Sequence, residues 1–207
     1  MGRGRYKSAV DKYDSVLLFQ TTNPKLYYNR SLAFINLQKY GKALVDLNKC
    51  LSLDTGFYDA YFNRAYVHNF MNNTSFALGD YDIFLSRYPL DYEARLARGK
   101  LLLEQNEPAK AIKDLKLYTQ NNKTNDDAYL AEFFAYKALK KNDQALLSID
   151  SALAIYPTSA KFNKLKADYL FDMGQFEEAC IYYDKAITSH KGNVELYASK
   201  AEAKYKL

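Results

Sequence analysis

Two histidines, two cysteines and no tryptophan leave this chain poor in the residues that carry chemistry. His68 and His190 lie far apart along it, and His68 occupies an apolar helix position, where a core histidine is the natural reading. Cys50 and Cys180 cannot build a disulfide framework, and as members of apolar helix columns they read as inert core thiols. There is no HExxH, no CxxC and no glycine-rich phosphate loop, so nothing points to catalysis, a metal site or a cofactor. The acid pairs Asp126-Asp127 and Glu177-Glu178 read as helix-end charges. No run approaches the roughly 18 apolar residues of a membrane span, and the opening MGRGRYKSAV lacks the apolar stretch of a secretory signal. A cytoplasmic chain with no membrane partner is therefore expected. The net charge of +5 is spread among acids, as on solvated helix faces, and predicts no nucleic-acid partner. Only 8 glycines and 4 prolines interrupt 207 residues, so few positions need special backbone angles, which favours helices.

What the sequence does contain is a period. Ala9, Ala43, Ala77, Ala111, Ala145 and Ala179 follow one another at one constant interval, without an insertion or a deletion. Four residues later come Tyr13, Leu47, Tyr81, Leu115, Ile149 and Tyr183, and seven later Val16, Cys50, Phe84, Tyr118, Ala152 and Ala186. Steps of four and seven share one helical face, so this segment is an amphipathic helix, B. A second helix, A, precedes it, with Ser31, Ala65, Gly99, Phe133, Ala167 and Ala201 in its middle apolar column. Small residues there let the A and B axes approach. Phe133 breaks the rule and predicts a splayed or shifted fourth repeat. Gly4 and Gly174 are expected in A-to-B turns, Pro24 and Pro108 in first helical turns, and Pro89 and Pro157 beyond B helices.

A period of 34, a tyrosine and a small residue on A, alanine on B and proline after B resemble the tetratricopeptide repeat. LYYNRSLAFINLQKYGKALVDLNKCLSLD and FDMGQFEEACIYYDKAITS look like ordinary members. The resemblance implies an all-α, right-handed superhelical solenoid of antiparallel helix pairs. It would be one array over 1–207: a half-repeat at 1–23, five repeats at 24–57, 58–91, 92–125, 126–159 and 160–193, and a half-repeat at 194–207. RNA-reading pentatricopeptide repeats have a longer period and lack the alanine column.

Two further patterns bear on assembly. Volumes alternate across successive repeats: Phe84 and Tyr118 are followed ten residues later by Ala94 and Ala128, Ala152 and Ala186 by Phe162 and Leu196. Arg30, Arg64 and Arg98 each precede an acid at the same separation, Asp46, Asp80 and Asp114. This predicts an Arg–Asp pair inside each of those repeats, absent where the columns become Glu132 and Ser148.

In the family that the chain resembles, A helices line the concave side of the superhelix and bind peptides. The A-helix residues one turn from the core face are Tyr28, Asn29, Leu32 and Ile35, then Phe62, Asn63, Tyr66 and Phe70. Later repeats offer Leu96, Lys100, Leu130 and Phe134. The first two sets are apolar on a second side, which the core does not require and a partner would. The expected partner is a protein or peptide with an apolar segment, with self-association as another use of the stripe. Asn29 matches one asparagine of the clamp by which some members hold acidic chaperone C-termini. Asp59 and Asn63 stand where that clamp needs bases, so an acidic chaperone tail is not the expected ligand. Asn29 and Asn63 better resemble the start of a backbone-gripping asparagine ladder. The fifth repeat, with Lys164 and Asp168, reads as an ordinary wet face. The rival to an interaction scaffold is an accessory, partner-recruiting segment of a larger multidomain enzyme.

Overall fold

The computed structural model describes residues 2–207, which form twelve helices and no strand. They are α1 (Gly2–Leu17), α2 (Pro24–Asn36), α3 (Tyr40–Leu53), α4 (Tyr58–Phe70), α5 (Thr74–Arg87) and α6 (Tyr92–Glu104). There follow α7 (Pro108–Asn121), α8 (Asp126–Ala138), α9 (Asn142–Ile155), α10 (Ala160–Asp172), α11 (Phe176–Ser189) and α12 (Val194–Tyr205). The even-numbered A helices start at 24, 58, 92, 126, 160 and 194, so the period of 34 is kept to the residue. The chain divides into two compact units, Met1–Leu102 and Leu103–Leu207, with the boundary inside α6.

Periodic local chemistry sets these helices. Side chains of Asn23, Asp91, Asn125, Ser159 and Asn193, in one column, accept hydrogen bonds from the first-turn N–H groups of the A helices they precede. The B helices α3, α5, α7, α9 and α11 have no such cap, and each follows directly on a tight turn. There Gln38, Asn72, Asn106, Lys140 and Gly174 adopt the left-handed conformation, again one full period apart. The next N–H reaches back to the last turn of the A helix, as Lys39 N to Phe34 O at 2.8 Å and Gln175 N to Leu170 O at 2.9 Å. Gly174 is thus at a turn as expected. Gly4, in the same column, lies inside α1 instead.

Lys140 holds φ of 55°, a costly angle for a residue with a Cβ. Lys140→Gly should therefore raise the unfolding free energy by about 0.5–1 kcal/mol, net of the added freedom of the unfolded chain. Gly174→Ala, where a Cβ would meet no neighbouring atom, should lower it by a similar amount through backbone strain alone. Urea midpoints that move the other way would show these turns to be unstrained.

Alanine makes the close A–B approach possible. Ala43, Ala77, Ala111, Ala145 and Ala179 have no exposed surface, and neither have Ser31, Ala65 and Ala167 on the A helices. In the first unit, Phe34, Leu47, Cys50 and Ala60 form one core cluster, and Tyr81, Phe84, Ala94 and Leu101 belong to a second. In the second unit, Phe133, Ile149, Ala152 and Phe162 lie in one cluster, and Leu170, Tyr183, Ala186 and Leu196 in another. The large–small partners Phe84/Ala94, Ala152/Phe162 and Ala186/Leu196 therefore share cores, as volume matching requires. Phe133 is 1% exposed and meets Tyr169 of α10 edge-on at 5.1 Å, while Ala145 stays fully buried. Its extra volume is taken up toward the next repeat.

Candidate functional site

Arg–Asp pairs join the A and B helices of the first unit. Arg30 donates to both carboxylate oxygens of Asp46, from Nε at 2.8 Å and Nη2 at 2.6 Å. Arg64 grips Asp80 in the same two-pronged way at 2.8 and 2.7 Å. The periodicity did not show that each guanidinium has a third bond, to the B helix before its own. Arg30 reaches Asp14 at 2.6 Å, Arg64 reaches Asn48 at 2.8 Å and Arg98 reaches Asp82 at 2.8 Å. The signal was a column of Asp14, Asn48, Asp82, Asp150 and Asp184. In the later repeats the pairing shifts to that column: Lys166 binds Asp150 and the hydroxyl of Tyr182, and Lys200 binds Asp184.

Against this frame the A helices of the first unit present aromatic side chains. Tyr66 and Phe70, one turn apart on α4, are 36% and 51% exposed, with ring centroids 4.7 Å apart. Phe70 also stacks on Tyr40 at 4.9 Å and 20°, so the exposed ledge has a third ring that the stripe omitted. Phe62, on the same face of α4, is half-buried, against Tyr81 at 5.8 Å and Phe84 at 5.1 Å. It is thus partly consumed by the core. Tyr28 is half-buried against Phe57 at 4.7 Å, and Leu32 and Ile35 are half-buried too. Asn29 is exposed. Asn63 donates its amide N–H groups to Tyr28 Oη at 3.2 Å and to the Asp59 carbonyl at 2.9 Å. Only its Oδ1 is left to accept, so the two-rung asparagine ladder is weaker than expected.

Next to these residues lies a cavity of about 380 Å³ with Tyr28, Phe62, Asn63 and Phe84 in its walls. Asp59, Asp91 and Glu93 also line it, so it is apolar with an acidic rim. Burial and the nearby Asp59 charge push the Tyr28 phenol above its ordinary pKa, and it stays a neutral hydroxyl at pH 7.

The second unit differs. Phe134 is 51% exposed against Phe133, and Leu130 packs on the core. The A helices there are tied by ion pairs, Lys137 to Asp172 at 3.1 Å and Lys161 to Asp126 at 3.0 Å. Lys164 bridges Asp168 at 2.9 Å and Glu195 at 3.3 Å, so that face is cross-linked by charge as well as wet. Lys100 of α6 is half-buried. Leu96 is a correction to the stripe: at 7% exposed it is covered and offers a partner almost no surface.

The residues without a role in this face behave as core. His68 is 9% exposed, stacks on Phe76 at 5.2 Å, and is held neutral by desolvation. Burial pushes the Cys50 thiol up to about 11, which makes it unreactive, whereas Cys180 is only half-buried. No group of metal-binding side chains and no helix long and apolar enough to cross a membrane occurs among the described residues.

Two family models described as tetratricopeptide repeat match this chain, one over residues 62–126 and the other over 24–56 and 162–189. The chain belongs to the tetratricopeptide repeat family. A tetratricopeptide repeat protein from Parabacteroides merdae superposes with a TM-score of 0.71, at 22% identity over 98% of this chain and 80% of that one. YrrB, a TPR protein with an unusual peptide-binding site, superposes with a TM-score of 0.80 at 17% identity, over 91% and 97% of the two chains. At such identities the likeness is one of fold. Serine/threonine-protein phosphatase T of Aspergillus oryzae is 33% identical over 113 residues, 54% of this chain and 24% of that protein. Human serine/threonine-protein phosphatase 5 is 30% identical over 91 residues, 44% of this chain and 18% of that protein. The chain spans about a quarter or less of the phosphatases it matches, and the tetratricopeptide repeat is the common ground.

Proposed function

We propose that this tetratricopeptide protein is a non-catalytic interaction scaffold whose first unit holds a peptide segment along α2 and α4. The observation that carries this is the ledge of Tyr66, Phe70 and Tyr40, three rings in contact and two of them more than a third exposed. The core needs only one side of α4, and exposed contiguous rings stabilise a complex by losing water. The acidic rim of the adjacent cavity adds selectivity: Asp59, Asp91 and Glu93 repel an acidic tail and attract a basic one. The partner segment is therefore apolar with a basic neighbour.

Peptides selected against the immobilised protein from a random display library test both parts. Their consensus should combine an aromatic or aliphatic anchor with lysine or arginine. Phe70→Ala and Tyr66→Ala should each weaken binding about tenfold or more, as an anchoring ring does. Val45→Ala, a change at a 67% exposed position on a B helix, should leave affinity unaltered. Acidic consensus peptides, or full affinity in both ring variants, would remove the groove reading. Loss of a concentration-dependent dimer in the ring variants would assign the ledge to self-association.

A further inference from the structure

We propose that a cavity in the second unit, between α7 and α9 and floored by α8, is a receptor site for a guanidinium group, such as an arginine side chain. In five of the six A helices the position equivalent to Glu132 is a cation: Arg30, Arg64, Arg98, Lys166 and Lys200. Arg30, Arg64 and Lys166 each bridge the B helix of their own repeat and the one before it. The fourth repeat lacks that cation. Glu132 replaces it, Ser148 replaces the acid of Asp46 and Asp80, and Thr119 replaces Leu17, Leu51, Leu85 and Leu153. Three departures converge on one place, and a cavity of about 510 Å³ is left there, within the ~300–1,000 Å³ range of small-ligand sites.

The walls suit a cation. Glu132 is 8% exposed and accepts a hydrogen bond on Oε2 from Thr119 Oγ1 at 2.8 Å. Its other oxygen has no protein partner among the described residues. Tyr129 and Tyr136, 5% and 8% exposed, also line the cavity, and both feel the carboxylate charge. A planar guanidinium donates two parallel bonds and stacks on tyrosine faces, which an ammonium does less well. Burial pushes the Glu132 carboxyl up, against the Thr119 bond and the Lys116 charge, and an incoming cation would favour its charged form. Lys116, which stands in the column of Asp14, Asp82, Asp150 and Asp184, and Lys123 line the cavity too; both are exposed, and the Lys116 charge reaches Glu132. They favour a guanidinium that carries a carboxylate nearby.

N-acetylarginine is a suitable probe, and its neutral isostere N-acetylcitrulline the control. Titration followed by amide NMR shifts should show saturable binding, with Kd on the order of 1 mM for so small a ligand, centred on α7–α9. N-acetylcitrulline should bind at least tenfold more weakly, and so should N-acetylarginine to Glu132→Gln. The double variant Glu132→Arg with Ser148→Asp rebuilds the internal pair; it should abolish binding and raise Tm. Free N-acetylaspartate binding in place of N-acetylarginine would show an anion site governed by Lys116 and Lys123 and overturn the proposal. So would unchanged binding in Glu132→Gln, equal affinity for citrulline, or no saturable shifts with N-acetylarginine. Binding of the basic peptides through the first unit is unaffected by either outcome, since none of these residues lies there.

Discussion

Replacing Phe133 with alanine should destabilise the protein by about 3 kcal/mol, within the range for emptying a buried phenyl site. Column arithmetic argues the reverse, because Ser31, Ala65, Gly99, Ala167 and Ala201 are small at the same position and alanine would restore the regular pattern. The structure decides against that argument. The ring is 1% exposed and edge-on to Tyr169, whose own column elsewhere holds Ala33, Val67, Leu101, Ala135 and Ala203. Tyr169 is in turn fixed by a hydrogen bond from its hydroxyl to Asn142 Oδ1 at 2.8 Å. The two large rings are thus a matched pair, and removing one leaves a cavity that the other cannot fill. A urea titration monitored by circular dichroism measures the loss. A gain in stability would mean that Phe133 is strained and that the small-residue column governs this repeat as it does the others.

Asp80→Ala should cost about 3 kcal/mol, since it strips a mostly buried guanidinium of its two-pronged partner and leaves it the Asn48 hydrogen bond and the Tyr61 ring. The carboxylate is 6% exposed and Arg64 22%, so solvent screens little of the loss. Asp82→Ala removes an acid that is 65% exposed from Arg98 and should cost under about 1 kcal/mol. The contrast separates the inner pair from the outer bridge. Replacing Arg64 and Asp80 together by leucine should recover much of the single-variant loss, because no stranded charge remains. If Asp80→Ala and Asp82→Ala cost the same small amount, the inner pair is no better shielded than the outer one.

Residue chemistry repeated at a constant interval was enough to read the helices. Ala43, Ala77 and Ala145 mark where two axes must meet, and the spacing of four and seven residues orients everything around them. Arg64 and Asp80 could be paired for the same reason, since two columns that keep a constant separation along the chain keep a spatial relation. The turn residues were less legible. Gln38 and Lys140 adopt left-handed angles that nothing in their own chemistry favours, and the helix-terminal hydrogen bonds impose them.

The candidate site shows the same division. That α2 and α4 carry apolar side chains on a second side follows from the sequence alone. How much of each ring remains outside does not, because exposure depends on the neighbour that a side chain finds. Phe62 meets Tyr81 and Phe84 and is half lost to the core, Leu96 is covered, and Phe70 meets Tyr40 and stays half in water. Asn63 was a free amide on paper and is bonded to Tyr28 and Asp59 in the fold. The sequence by itself determined the all-α repeat, its period and the inward alanine column, because helical periodicity is a local property of the chain. Only the tertiary structure decided which apolar side chains remain available and where the missing cation of the fourth repeat leaves a cavity around Glu132, because burial and vacancy are set by packing between helices.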